Sequence, residues 1–231
     1  MMKKIFTIVL ALMMTLTLSA CVNEVKTDEK SSDVKETSEV NKTSTSDSTQ
    51  KITDFNGKKI LIAYFSRADE NTRVGVIEKG NTRILAEMLQ GMTGGDIFEI
   101  KNVNPYPKEY KETTDIAKQE KEINFRPEIV EPLPNVQDYD VILLGYPIWW
   151  SDLPMAVYTF LEKEKFNGKV IAPFCTHEGS GIAGTESYIA EVTNARMLTG
   201  LEMRGSVAQN STEEAKEQLE NWLKALEVDL K

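Results

Sequence analysis

Val141-Ile142-Leu143-Leu144-Gly145-Tyr146-Pro147-Ile148-Trp149-Trp150 decides the fold: a short apolar run reaches glycine and proline and then two adjacent indole rings. An unbroken apolar run of this length fits a strand buried on both faces, as in the parallel sheets of α/β proteins. Two other stretches repeat the pattern. Ile60-Leu61-Ile62-Ala63-Tyr64-Phe65 runs into Ser66-Arg67, and Val170-Ile171-Ala172-Pro173-Phe174 runs into Cys175-Thr176-His177-Glu178-Gly179-Ser180-Gly181. Ligands of open parallel sheets bind in the crevice at the carboxyl ends of the strands, so the three loops should line one pocket, suited to a flat ring with a phosphate tail.

Outward from these runs, strands and amphipathic helices alternate. A strand near Lys59–Phe65 leads to a helix over Thr82–Met92, where Ile84, Leu85, Met88 and Leu89 fall at helical spacing and Gly94-Gly95 ends the helix. Asp96–Ile100 reads as the second strand, and a charged helix over Lys108–Glu122 follows the Pro-punctuated segment from Val103 to Pro107. The third strand is expected over Asp140–Gly145, a helix over Met155–Glu164, the fourth strand over Lys169–Phe174 and a helix over Gly184–Val192. A fifth strand falls between Ala195 and Met203, and the last helix spans Thr212–Leu226 with Leu219, Trp222, Leu223 and Leu226 as its apolar stripe. Five strand–helix alternations with right-handed crossovers describe an α/β, doubly wound, five-stranded parallel sheet with helices on both faces.

The first quarter of the chain is of a different kind. Lys3 and Lys4 precede an apolar run too short for a comfortable membrane span, and Leu18-Ser19-Ala20-Cys21 closes it, so residues 1–20 read as an export signal. Leu-Ser-Ala-Cys resembles the bacterial lipoprotein box, which implies lipidation at Cys21 and attachment to a membrane on its extracytoplasmic face. Residues 21–55 are rich in Ser, Thr, Lys, Asp and Glu and read as a disordered tether with a reach of about 30 Å, ahead of a domain over 56–231. The other cysteine, Cys175, ends an apolar strand and is expected to be a buried free thiol. A formal net charge of −9 argues against nucleic acid as a partner. No cysteine or histidine cluster has metal-ligand spacing, no Gly-x-Gly-x-x-Gly follows the first strand, and no Ser-His-Asp arrangement is arguable. Asp152, Glu162 and Glu164 read as solvated surface.

Together with the order of the elements, the motifs Tyr64-Phe65-Ser66-Arg67, Gly80-Asn81-Thr82, Gly145-Tyr146-Pro147-Ile148-Trp149-Trp150 and Phe174-Cys175-Thr176-His177-Glu178-Gly179-Ser180-Gly181 resemble a bacterial flavodoxin-like family. The resemblance implies strand order 2-1-3-4-5 and FMN as cofactor. Ser66 and Arg67, with Asn81 and Thr82 opening the first helix, then become the phosphate contacts, although residues 68–79 interrupt what is one compact loop in a standard flavodoxin. Pro147, Ile148, Trp149 and Trp150 become ring contacts, an indole face offering a polarizable surface to an isoalloxazine plane. Thr176, His177, Glu178, Gly179, Ser180 and Gly181 become the loop whose backbone reads the pyrimidine edge, glycine permitting close approach. His177 is the one candidate for a catalytic role, as a proton donor or as a charge near the ring.

Three functions fit this reading. One is an electron carrier serving redox protein partners, and another is an FMN-dependent reductase passing hydride from a reduced nicotinamide to a small-molecule electron acceptor of the quinone type. The third is a non-catalytic lipoprotein binding module. With lipid on Cys21, the intact chain should sediment with membranes and Cys21→Ser should stay soluble; equal partitioning of the two removes the anchor.

Overall fold

The computed structural model describes residues 55–231; the signal segment, Cys21 and the polar stretch through residue 54 lie outside the described residues. The strands are β1 (Ile60–Tyr64), β2 (Asp69–Asn71), β3 (Gly75–Ile77), β4 (Asp96–Glu99), β5 (Val141–Pro147), β6 (Val170–His177), β7 (Arg196–Met197) and β8 (Leu201–Arg204). The helices are α1 (Asn81–Thr93), α2 (Tyr110–Glu122), α3 (Met155–Lys163), α4 (Thr185–Thr193), α5 (Gly205–Asn210) and α6 (Thr212–Asp229). The main sheet is parallel, ordered β4-β1-β5-β6, with β7 and β8 both paired to the outer edge of β6. This is the expected doubly wound order with the fifth strand in two pieces.

Successive strand residues point to opposite faces, so β1 supplies two cores at once. Ile60, Ile62 and Tyr64 pack with Leu85 and Leu89 of α1 and with Leu219, Trp222, Leu223 and Leu226 of α6. Leu61, Ala63 and the following Phe65 pack with Val157 and Phe160 of α3 and Ile189 of α4. Both clusters are sealed, which is why β1, β5 and β6 read as continuous apolar runs rather than alternating ones. Phe55, at the tether end of the expected boundary, is itself fully buried in the first core.

Four features differ from the sequence reading. β5 continues through Pro147 because Tyr146 and Pro147 pair with Cys175 and Thr176, and β6 continues through His177 because β8 pairs Cys175, Thr176 and His177 with Glu202, Met203 and Arg204. The fifth strand breaks opposite Pro173, a residue with no N–H to donate. Gly200 lies in that break, where a Cβ would stand 3.0 Å from the Pro173 ring and 2.4 Å from Ile182. Residues 69–77 form a hairpin, and a short helix, α5, links β8 to α6.

Gly145 lies at the middle of the rim beneath the Phe174 ring, and a Cβ there would come within 2.2 Å of that ring. Phe174 is fully buried and meets Trp222 edge-on at 6.2 Å, so it cannot swing aside freely. Gly145→Ala should lower the unfolding free energy by about 2 kcal/mol, read as a reduced urea midpoint at constant slope.

Candidate functional site

The carboxyl ends of β1, β5 and β6 meet as expected, and a cavity of about 260 Å³ opens there. Its walls include Arg67, Asn81, Pro147, Ile148, Trp149, Trp150, Thr176, His177 and Glu178. Ser66 and Thr82 line a small recess continuous with it, sharing Asn81, Trp149 and Thr176. Gly179, Ser180 and Gly181 line neither space.

The recess is built around the first turn of α1. Gly80 holds the N-cap position without a side chain to cap with, and Ser66 supplies the oxygen instead: its Oγ accepts the Arg83 N–H at 3.1 Å. A Cβ on Gly80 would lie 2.3 Å from that oxygen and 2.4 Å from the Arg67 carbonyl, so only glycine permits the approach. The N–H groups of Asn81 and Thr82 have no partner among the described residues, and the first turn carries no acidic side chain. Thr82 and Thr176 share a buried hydroxyl–hydroxyl bond of 2.8 Å that ties α1 to β6 across the recess. A free helix N-terminus rimmed by hydroxyls is a seat for an anion.

Arg67 is spent on architecture. Its guanidinium donates to the carbonyls of Glu70 at 2.5 Å, Pro107 at 2.7 and 3.3 Å, and Lys108 at 2.5 Å, binding the hairpin to the segment before α2. Burial holds its pKa below the usual arginine value, while Asp69, Glu70 and Glu109 oppose that shift.

The two tryptophans have different settings. Trp149 stands edge-on to Phe65 at 5.3 Å and to Tyr106 at 5.1 Å, wedged against the second core. Trp150 is half exposed at the cavity mouth, donates Nε1–H to the Thr114 carbonyl at 2.9 Å and lies beneath the Lys118 ammonium. Trp149 and Asp152 exchange backbone hydrogen bonds of 2.9 and 3.0 Å across Trp150 and Ser151, both left-handed at φ 52° and 59°. Such two-residue loops favour Asn-Gly, so a Trp-Ser pair stores strain that outside contacts must hold. Lys121 supplies one, donating to the Trp150 carbonyl at 2.7 Å and pairing with Asp152 at 3.2 Å. Asp152 is buried rather than solvated, and also accepts from the Tyr158 hydroxyl at 2.8 Å.

The wall that sequence reasoning missed is α2 with the hairpin: Asn71, Thr72, Tyr110, Thr113, Thr114 and Ala117 face the cavity. Thr113 and Ala117 are the only buried residues of α2, so this helix buries its face over the cavity rather than over either core. Polar bonds hold it. Glu70 of β2 accepts the Tyr110 N–H at 2.8 Å, Thr113 donates to Pro107, and Glu120 accepts the Tyr106 hydroxyl. The helix itself was expected, but with only Thr113 and Ala117 buried it has no apolar stripe to show which face it covers, although that pair, four apart, was visible.

Cys175 is fully buried, and burial pushes its thiol up to about 12, which makes it inert at neutral pH. No group of metal-ligating side chains occurs among the described residues. No helix among them is long and apolar enough to cross a membrane.

A five-strand parallel order, a bare helix N-terminus after the first strand and aromatic residues after the third define a flavodoxin-like protein. The chain belongs to the flavodoxin family, whose model matches residues 59–226. It is 30% identical over 105 residues to flavodoxin 1 of Escherichia coli K12 and of Salmonella typhimurium LT2, a stretch covering 42% of this chain and 43% of each relative. The chain therefore spans less than half the length of these curated relatives. A protein described as a flavoprotein from Bacteroides eggerthii is 27% identical with a TM-score of 0.58, over 73% of this chain and 97% of that one. A Lactobacillus acidophilus flavoprotein solved in complex with FMN shares the fold, with a TM-score of 0.51 at 23% identity over 67% of this chain and 97% of that one.

Because Glu70 caps α2 from outside, Glu70→Ala should cost about 1 kcal/mol of stability. Hydrogen exchange should accelerate at Tyr110–Thr113 while the amides of α1 stay protected; uniform acceleration in both helices would deny the hairpin this role.

Proposed function

We propose that the chain binds FMN without a covalent bond in this cavity and acts as an electron-transfer flavoprotein. The observation that carries the reading is the first turn of α1: two N–H groups unpartnered among the described residues and no acidic side chain within the turn, opening on a recess that joins an aromatic-walled cavity. The residues fit the cofactor. Ser66, Asn81 and Thr82 would receive the phosphate, and Trp149 and Trp150 would bound the ring, with Arg67 supporting the wall rather than reaching the ligand. FMN, when bound, supplies one-electron and hydride chemistry, while the chain contributes position and the exclusion of water.

The net charge of −9 supports the carrier reading, since it would steer the domain toward basic redox partners. The alternative, an FMN-dependent NAD(P)H:quinone-type reductase, is supported by the α2 wall, which gives a small molecule a covered side of the cavity. The proposed setting is the extracytoplasmic face of a membrane, reached through lipid on Cys21 and the polar tether. Rapid NADH or NADPH oxidation with a quinone would decide for the reductase, and slow oxidation for the carrier.

Added FMN should lose fluorescence on titration with the protein and acquire a bound-flavin visible spectrum. Because the helix N-terminus reads an anion, FMN should bind at least about tenfold more tightly than riboflavin, and the gap should narrow as salt screens the phosphate. Equal affinities would remove the phosphate seat, and no quenching at all would remove the FMN reading.

A further inference from the structure

The turn after β6 spends three of its backbone donors on the protein. The N–H groups of Gly179 and Gly181 both donate to His177 Nδ1, at 2.9 and 3.2 Å, and the Ile182 N–H donates to the Glu202 carboxylate at 3.0 Å. Glu202 presses close enough that a Cβ on Gly181 would meet its oxygen at 2.5 Å. Side chains nearby are equally committed. Thr176 is bonded to Thr82, and the Glu178 carboxylate accepts the Ser206 N–H at 2.8 Å and the Ser206 hydroxyl at 3.2 Å. The two glycine amides expected to read a ring edge are thus already taken, and they lie outside the cavity wall.

His177 is the last residue of β6 and does line the cavity. An imidazole nitrogen that accepts two N–H groups must present a lone pair, so in the neutral ring the proton sits on Nε2. That atom has no partner among the described residues and is not sealed from solvent. Resting on the FMN reading above, we infer that His177 is held as a neutral imidazole whose Nε2–H, in place of the glycine amides, is the donor offered to a carbonyl on the edge of the bound ring.

Adding a proton at Nδ1 would set an N–H against two N–H groups, so the turn itself opposes a charged ring. The charged groups facing the ring are Glu178 and Glu202, which favour protonation, and Arg204, which opposes it. Burial is the largest influence and acts with Arg204, holding the pKa below the ordinary 6.5. His177 then brings a directed hydrogen bond to the site and no positive charge. The linkage follows in sign: above pH 6.5 both folded and unfolded states hold the ring neutral, and as pH falls below 6.5 the unfolded state gains the proton first. This contribution to stability is present above pH 6.5 and is lost as pH falls toward the lowered folded value.

His177 is the only histidine in the chain, so its ring nitrogens give a single pair of ¹⁵N signals in the labelled full-length protein. They should report the Nε2–H form, still neutral at pH values below 6.5. Two substitutions separate the ring's two edges. His177→Asn places an acceptor near Nδ1 and lacks the reach of Nε2; it should keep the Gly179 and Gly181 amides protected from exchange yet weaken FMN about tenfold. His177→Gln keeps an N–H near Nε2; it should hold FMN affinity within about threefold while those two amides exchange faster. An Nδ1–H form, titration at or above 6.5, or an Asn variant that binds FMN as the parent does would each overturn the inference. A parent chain that binds no FMN overturns the reading on which the inference rests and the inference with it.

Discussion

The approach of Gly80 to Ser66 and Arg67 is the constraint on which the site depends. In sequence the segment between the first strand and the first helix is interrupted by residues 68–79, yet in space the chain returns to the point it left. Ser66 Oγ bonds to Arg83 as an adjacent N-cap serine would, although 17 positions separate the two. A side chain at residue 80 would push the two halves apart and leave α1 without its cap. The hairpin is therefore an excursion that leaves the rim geometry intact, and it adds a wall by anchoring α2 through Arg67 and Glu70.

What the sequence made legible follows from which forces leave a pattern. Burial on two faces leaves continuous apolar runs, so β1, β5 and β6 were found, and their order carried the fold class. Helices α1, α3 and α6 were found because each turns an apolar stripe to a core. The extension of β6 through Thr176 and His177 was not legible, since hydrogen bonding to β8 rather than apolar burial keeps those residues in the sheet. The break between β7 and β8 had a visible cause in Pro173, but its effect falls on the neighbouring strand, which only the topology identifies.

The site divided along the same line. Residues placed by strand ends, such as Pro147, Trp149 and Thr176, were legible because the crevice rule needs only strand boundaries. The α2 residues were not, because that helix is fastened by single polar bonds whose partners lie about 30 to 40 positions away, as Trp150 Nε1 to Thr114 and Glu70 to Tyr110 show. Asp152 misled for a related reason. A carboxylate beside serine in a loop reads as solvated, whereas Tyr158 and Lys121 make burial tolerable by pairing it.

That polar fastening has a consequence for how the cavity works. A helix docked by a wide apolar stripe leaves its place only with unfolding, because every methylene exposed costs about 0.8 kcal/mol. Helix α2 exposes little apolar surface on moving, and its bonds to Trp150, Glu70 and the Arg67-bound segment can be exchanged for bonds to water at roughly 1 kcal/mol each. The left-handed Trp150–Ser151 pair adds strain that favours release from the same side. The rim is thus fixed where the recess and His177 must be positioned, and loosely held where a ligand must pass, with both properties set by what each element buries.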